Sequence, residues 1–243
     1  MRQSLADAKT ASDVGLAAAT EAKRITGRDI PFDYHGVEPQ LAREYSEGVL
    51  RGLERYPSAP LGAVRTTEFP PDPEGETTWA HTLRPEAEGN SSGKYEIEFN
   101  GANGVAGQVD EMLHMKQARG AYAFGDVQGL ALHEFGHVLH EHAGTSDAAK
   151  RVANAYAEKN VPAPVAAPGK RRFGVGPHAP GELTAEQVQE HKENKRVFLL
   201  REISFYSQDS PHELAAEAFA DVMTNGAHAS PLSHQITDLL GAS

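Results

Sequence analysis

The sequence predicts an α+β domain with helices at both ends and a small sheet between them. Three observations carry that expectation. Residues 3–26 and 38–56 set apolar side chains at helical spacing. Residues 62–101 switch to short alternating apolar and polar runs separated by turn-forming residues. From residue 126 onward the helical period returns. A chain of 243 residues can bury one large core, and 39% apolar against 23% charged residues is a globular composition. The expected layout is a single domain over 1–243. Within it, N-terminal helices occupy 1–60, the sheet and a central helix 61–145, and a C-terminal helical part 146–243.

Each element has its own signal. The first helix carries Leu5, Ala8, Ser12, Leu16, Ala19 and Ala22 on one stripe, and Gly27 is a natural stop. The second sets Leu41, Tyr45, Val49, Leu50 and Leu53 on one face and ends before Pro57. Strands are expected over 62–69, 77–84 and 94–101, with turns at 70–75 and 88–93. In the last strand Tyr95, Ile97 and Phe99 alternate with Glu96 and Glu98, the pattern of a half-exposed strand. A loop then leads into a short helix before residue 120. Asp126 is a good N-cap and Gly144 a good terminator for a helix over 126–143. Further helices are expected over 146–159, 184–205, 210–225 and 231–240. Thr184 with Gln187 reads as a capping box. The Pro- and Gly-rich stretch 160–181 reads as a long flexible surface loop containing the basic cluster Lys170, Arg171 and Arg172. No internal repeat is visible.

Composition narrows the function classes. The formal net charge of −11 argues against a nucleic-acid binder. Cysteine is absent, so disulfides, thiolate metal ligands and a cysteine nucleophile are all excluded. Any metal must be held by His, Asp or Glu. No run approaches the ~18 apolar residues of a membrane span. Asp7 and Asp13 interrupt the N-terminal stretch, which does not read as a signal peptide. The composition suggests a bacterial or phage origin, with a secreted effector or virion-associated protein as the expectation.

One motif carries chemistry: His133-Glu134-Phe135-Gly136-His137. Histidines four apart on a helix lie on one face, where both imidazoles can reach one Zn2+ ion. Glu134 sits beside that position and can act as a general base toward a metal-activated water. A third ligand is needed, and Glu213, Glu217 and Asp221 recur at steps of four downstream. Two registers compete. Either Glu213 binds the metal and Glu217 supports a histidine, or Glu217 binds and Asp221 supports. Glu213 also has a plain reading as the partner of Ser210 in a capping box, and Asp221 as a solvated face residue. His140 lies one turn beyond His137. Its readings are a helix-end histidine favouring the C-terminal dipole, a fourth metal contact or a substrate contact. Glu141 and His142 look solvent-facing, and Met223 reads as core.

The HEFGH motif, followed by Tyr206 and then by His-Glu-Leu-Ala-Ala-Glu-Ala-Phe over 212–219, resembles the catalytic domain family of anthrax lethal factor. These are gluzincins, metallopeptidases of the zincin type. The resemblance covers the central helix and about 20 residues near 203–223. It implies a zincin-like fold, Zn2+ as cofactor and a peptide or protein as substrate. It implies His133, His137 and Glu213 as ligands, Glu134 as general base, Tyr206 as the phenol that stabilises the oxyanion, and Glu217 as the partner of a ligand histidine. The Tyr-to-Glu spacing favours the first register. Strand 94–100 is then the expected edge for main-chain pairing with a peptide. Three rival readings stand beside this one. They are a catalytically silent zincin-like binding module, a metal-free helical interaction protein, and a hydrolase of non-peptide amides or esters.

Overall fold

The structure, a computed structural model, describes residues 2–69, 78–90, 92–101, 105–164 and 183–241. It is α+β, with a four-stranded mixed sheet embedded among helices. Helices α1 (Arg2–Asp7) and α2 (Ala11–Thr26) stand where a single helix was expected. Thr10 breaks it. Its hydroxyl accepts the Asp13 N–H at 3.1 Å, and its own N–H donates to the Asp13 carboxylate at 3.2 Å, a complete capping box. The buried face of α2 is Val14, Ala18 and Ala22, while Leu16 is 72% exposed, so the apolar stripe is rotated from the expected one.

The strands are β1 (Phe32–Asp33), β2 (Leu61–Thr67), β3 (Ala80–Leu83) and β4 (Tyr95–Asn100), in the spatial order β1-β2-β4-β3. β1, β2 and β4 run parallel, and β3 is antiparallel to β4. Two expectations are corrected here. Residues 94–100 do not form an edge, because β2 and β3 flank β4; the edge nearest the central helix is β3. Nor is β4 half-exposed: Glu96 is 0% and Glu98 7% exposed. Their charge is matched by Arg65 of β2, whose guanidinium lies 3.1 Å from Glu96 and 2.6 Å from Glu98. His81 of β3 reaches Glu98 at 2.8 Å, and the Ser92 N–H donates to Glu96 at 2.8 Å. Buried carboxylates are tolerable only with such partners. On the opposite face Phe99 stacks on Tyr45 at 3.7 Å and closes the core.

Helix α3 (Pro39–Arg55) lies against α5 (Val127–Ala143), the helix that carries HEFGH. Gly48 and Gly52 set the distance. A Cβ on Gly52 would fall 2.6 Å from the Phe135 ring, and one on Gly48 would fall 2.6 Å from the Gln128 carbonyl oxygen. The remaining helices are α4 (Ala106–Ala118), α6 (Ser146–Asn160), α7 (Ala185–Glu202), α8 (Pro211–Asn225) and α9 (Pro231–Thr237). α7 opens with the expected Thr184–Gln187 capping box. It ends three residues early because Phe205 and Tyr206 turn away to bond the Gly120 and Ala121 carbonyls at 2.8 and 3.1 Å. Most of the expected loop at 160–181, with Lys170, Arg171 and Arg172, lies outside the described residues.

Two apolar clusters result. One joins α1, α2, α3 and the sheet to α4 and α5. The other joins α6, α7 and α9 to α8. α8 serves both, giving Phe219 and Ala220 to the first and Leu214, Ala215 and Ala218 to the second. Met223 packs against the first cluster, as expected. No helix among the described residues is long and apolar enough to cross a membrane.

Candidate metal centre

Helix α5 is the most enclosed helix among the described residues, and every residue from Leu130 to His140 is buried. The Asp126 side chain caps it, accepting the Gly129 N–H at 2.6 Å, and Gly144 closes it in the left-handed conformation at φ 64°. His133, Glu134 and His137 are therefore polar groups in an apolar helix, 3%, 5% and 9% exposed. Polar side chains so placed need partners.

The partners come from α8. Gly136, between the two histidines, lets the helices cross closely: a Cβ there would lie 3.0 Å from Ala216 Cα and 3.2 Å from Phe219. Ser210 caps α8 by accepting the Glu213 N–H at 3.1 Å. The Glu213 carboxylate does not return to Ser210, as a full capping box requires, but turns to the histidines. His133 Nε2 and His137 Nε2 are 3.2 Å apart, and Glu213 Oε2 lies 3.2 Å from the first and 3.4 Å from the second. Three vertices of a tetrahedron with metal–ligand distances of about 2.0–2.1 Å are about 3.3–3.4 Å apart. The triangle therefore has the edge lengths of a tetrahedral metal site. Glu213 Oε2 is buried with no hydrogen bond of its own. Among the described residues, these three form the one His/Asp/Glu group compact enough to hold a metal ion.

The electrostatics point the same way. Burial opposes a charge on His133, but Glu213 and Glu217 against its ring hold its pKa well above the usual value. Burial would raise the Glu213 pKa, yet His133 and His137 bring it well below the carboxylate range. The centre of the triangle favours positive charge.

Of the two registers, the structure brings Glu213 into the triangle and places Glu217 behind it. Glu217 Oε1 lies 3.0 Å from His133 Nδ1, and its Oε2 accepts the Ala123 N–H at 2.7 Å. Asp221 is no solvated residue: it is buried, accepting from Asn225 at 2.7 Å and from the Ser230 N–H at 3.0 Å.

Glu134 and Tyr206 line a cleft beside His133, with Trp79, Ala80, Tyr122, Phe124 and Phe205 around them. Its volume, about 420 Å³, is within the range of ligand sites. Tyr206 stands edge-on to Tyr122, with ring centres 5.3 Å apart, and its ring centre is 5.8 Å from that of His133. Burial, then Glu213, pushes the phenol pKa up, so Tyr206 stays protonated and can donate.

Two expectations near the end of α5 are corrected. Glu141 does not face solvent; it pairs with Arg84 through contacts of 2.6 and 3.1 Å. His140 is no charged helix end and stands outside the triangle. It is buried, its Nδ1 lies 2.7 Å from the Thr145 hydroxyl, and burial, aided by His137, pushes its pKa from 6.5 down to about 3. The unfolded chain therefore takes up a proton below pH 6.5 that the folded chain refuses until about pH 3. Stability falls as the pH drops through that window, by on the order of 2–3 kcal/mol at pH 4.5. Urea midpoints of the metal-free protein between pH 7 and 4.5 should show this slope, flattened in His140→Leu. An unchanged slope would assign the acid lability to other groups.

Sequence reasoning passed over Thr82, whose hydroxyl lies 2.9 Å from the Glu134 carboxylate, and Ala123, whose N–H holds Glu217. Neither had a local signal, because both contacts join distant segments. No family model matches the chain, and neither a curated protein nor a solved structure matches it.

Proposed function

We propose that the protein is a zinc-dependent metallopeptidase of the zincin type, with His133, His137 and Glu213 as ligands. The observation that carries this reading is the triangle of 3.2, 3.2 and 3.4 Å formed by their donor atoms, with His133 in the wall of a cleft. Two imidazoles and one carboxylate are a donor set suited to zinc in a hydrolytic site. When bound, zinc supplies a Lewis acid that polarises the scissile carbonyl and lowers the pKa of water toward ~7.

The chain's own residues do the rest. Glu134, in the cleft and outside the triangle, takes the proton of the attacking water and returns it to the leaving amine. Tyr206 donates to the carbonyl oxygen as it becomes negative. An extended peptide suits the open edge of β3. The Asn100 N–H bonds the Trp79 carbonyl at 2.8 Å, which makes 79/100, 81/98 and 83/96 the hydrogen-bonded pairs. The N–H and C=O of Ala80 and Thr82 therefore point off the sheet and meet no backbone partner among the described residues, an arrangement suited to pairing with a substrate main chain.

Metal analysis of the purified protein tests the reading, followed by exposure to a peptide library with and without a chelator. The expected result is about one zinc per chain and cleavage that stops on chelation and returns with added zinc. No zinc after supplementation would overturn the proposal. Zinc without cleavage of any peptide would leave a silent binding module.

A further inference from the structure

We propose that Thr82 is a positioning residue for Glu134, coupling the edge strand that receives the peptide to the group that moves the proton. The inference rests on the peptidase reading above. Thr82 sits in β3 with its side chain toward α5, while His81 turns to the opposite face and meets Glu98 at 2.8 Å. The Thr82 hydroxyl lies 2.9 Å from Glu134 Oε2 and 3.0 Å from the Glu134 carbonyl oxygen. Among the described residues it supplies the hydrogen bond to that carboxylate.

A carboxylate at the end of a glutamate chain has a broad, two-fold terminal torsion and does not orient itself. The one hydroxyl hydrogen of Thr82, shared between Oε2 and the Glu134 carbonyl oxygen, restrains the carboxylate torsion and leaves Oε1 for proton transfer. The Thr82 backbone meanwhile points off the sheet edge, where a peptide would pair. One residue thus sets the distance between the substrate main chain and the base. Serving the helix carbonyl alone would not require the hydroxyl to lie equally near the carboxylate.

Thr82→Val keeps the shape and removes the donor, and Thr82→Ser keeps the donor. In zinc-loaded protein acting on a peptide that the wild type cleaves, Thr82→Val should lower kcat by about 10- to 100-fold, the effect of a misplaced catalytic group. KM and zinc affinity should be little changed, and Thr82→Ser should retain most of the rate. An independent readout is the urea midpoint of the metal-free protein. There Thr82→Val and Glu134→Ala should combine non-additively, because each removes one partner of the same contact. An unchanged kcat in Thr82→Val, or an equal loss in Thr82→Ser, would overturn the positioning role. Additive midpoint shifts would overturn the contact itself. A wild type that cleaves no peptide would instead overturn the peptidase reading, and with it the catalytic purpose of the contact.

Discussion

Glu213→Ala is expected to abolish stable zinc binding, whereas Glu217→Ala is expected to keep about one zinc per chain at weaker affinity. The two carboxylates stand one turn apart on α8 and do different work. Glu213 Oε2 closes the triangle with His133 and His137, so its loss leaves two ligands where a stable site needs three. Glu217 faces the other nitrogen of His133 at 3.0 Å. A carboxylate there favours the tautomer with the proton on Nδ1, leaving Nε2 to the metal. Removing such a partner weakens affinity about 10- to 100-fold. It also strips the Ala123 N–H of its acceptor in a buried place, which destabilises the fold by about 1–3 kcal/mol. Chelator competition and a urea titration on each variant measure both effects. Zinc retained in Glu213→Ala and lost in Glu217→Ala would reverse the assignment.

That choice shows where sequence reading reaches its limit. Steps of four place Glu213, Glu217 and Asp221 on one helix face without ranking them; the Tyr206-to-Glu213 spacing of the resemblance favours Glu213, but the contacts that separate the three are not in the helix pattern. In the fold they are separated by groups outside the helix: the histidines of α5 and the Ala123 N–H, far along the chain, and the Ser230 N–H just beyond the end of α8. Helix α5, by contrast, is legible almost to the residue, because Asp126, Gly144 and a long apolar run all agree locally. The sheet was legible as strands but not as an order. Alternation in β4 is the same whether Glu96 and Glu98 meet water or Arg65, and only the parallel pairing with β2 brings Arg65 across. β1, two residues long, has no period to read. The break at Thr10 was written in the sequence as Thr-x-x-Asp, but an alanine-rich stripe runs through it and masks the cap.

Glu134→Gln should lower kcat by about 10²- to 10⁴-fold while leaving zinc content and folding near those of the wild type. The isosteric amide can still accept from the Thr82 hydroxyl, so the strand–helix contact survives. Glu134 is not part of the triangle, so the ligand set is untouched. What is lost is the ability to take a proton from water, and an amide cannot replace that. Tyr206→Phe is the instructive comparison. It removes one donor to the developing oxyanion and should lower kcat by up to about 10²- to 10³-fold, with KM little changed. The two losses differ in kind, because a base and an oxyanion donor act on different atoms of the reacting pair. Stopped assays on one peptide, with zinc content measured in the same samples, separate them from metal loss. If Glu134→Gln keeps the full rate with zinc in place, proton transfer belongs to another group, and the cleft wall offers Tyr206 and Asp209 as the next to replace.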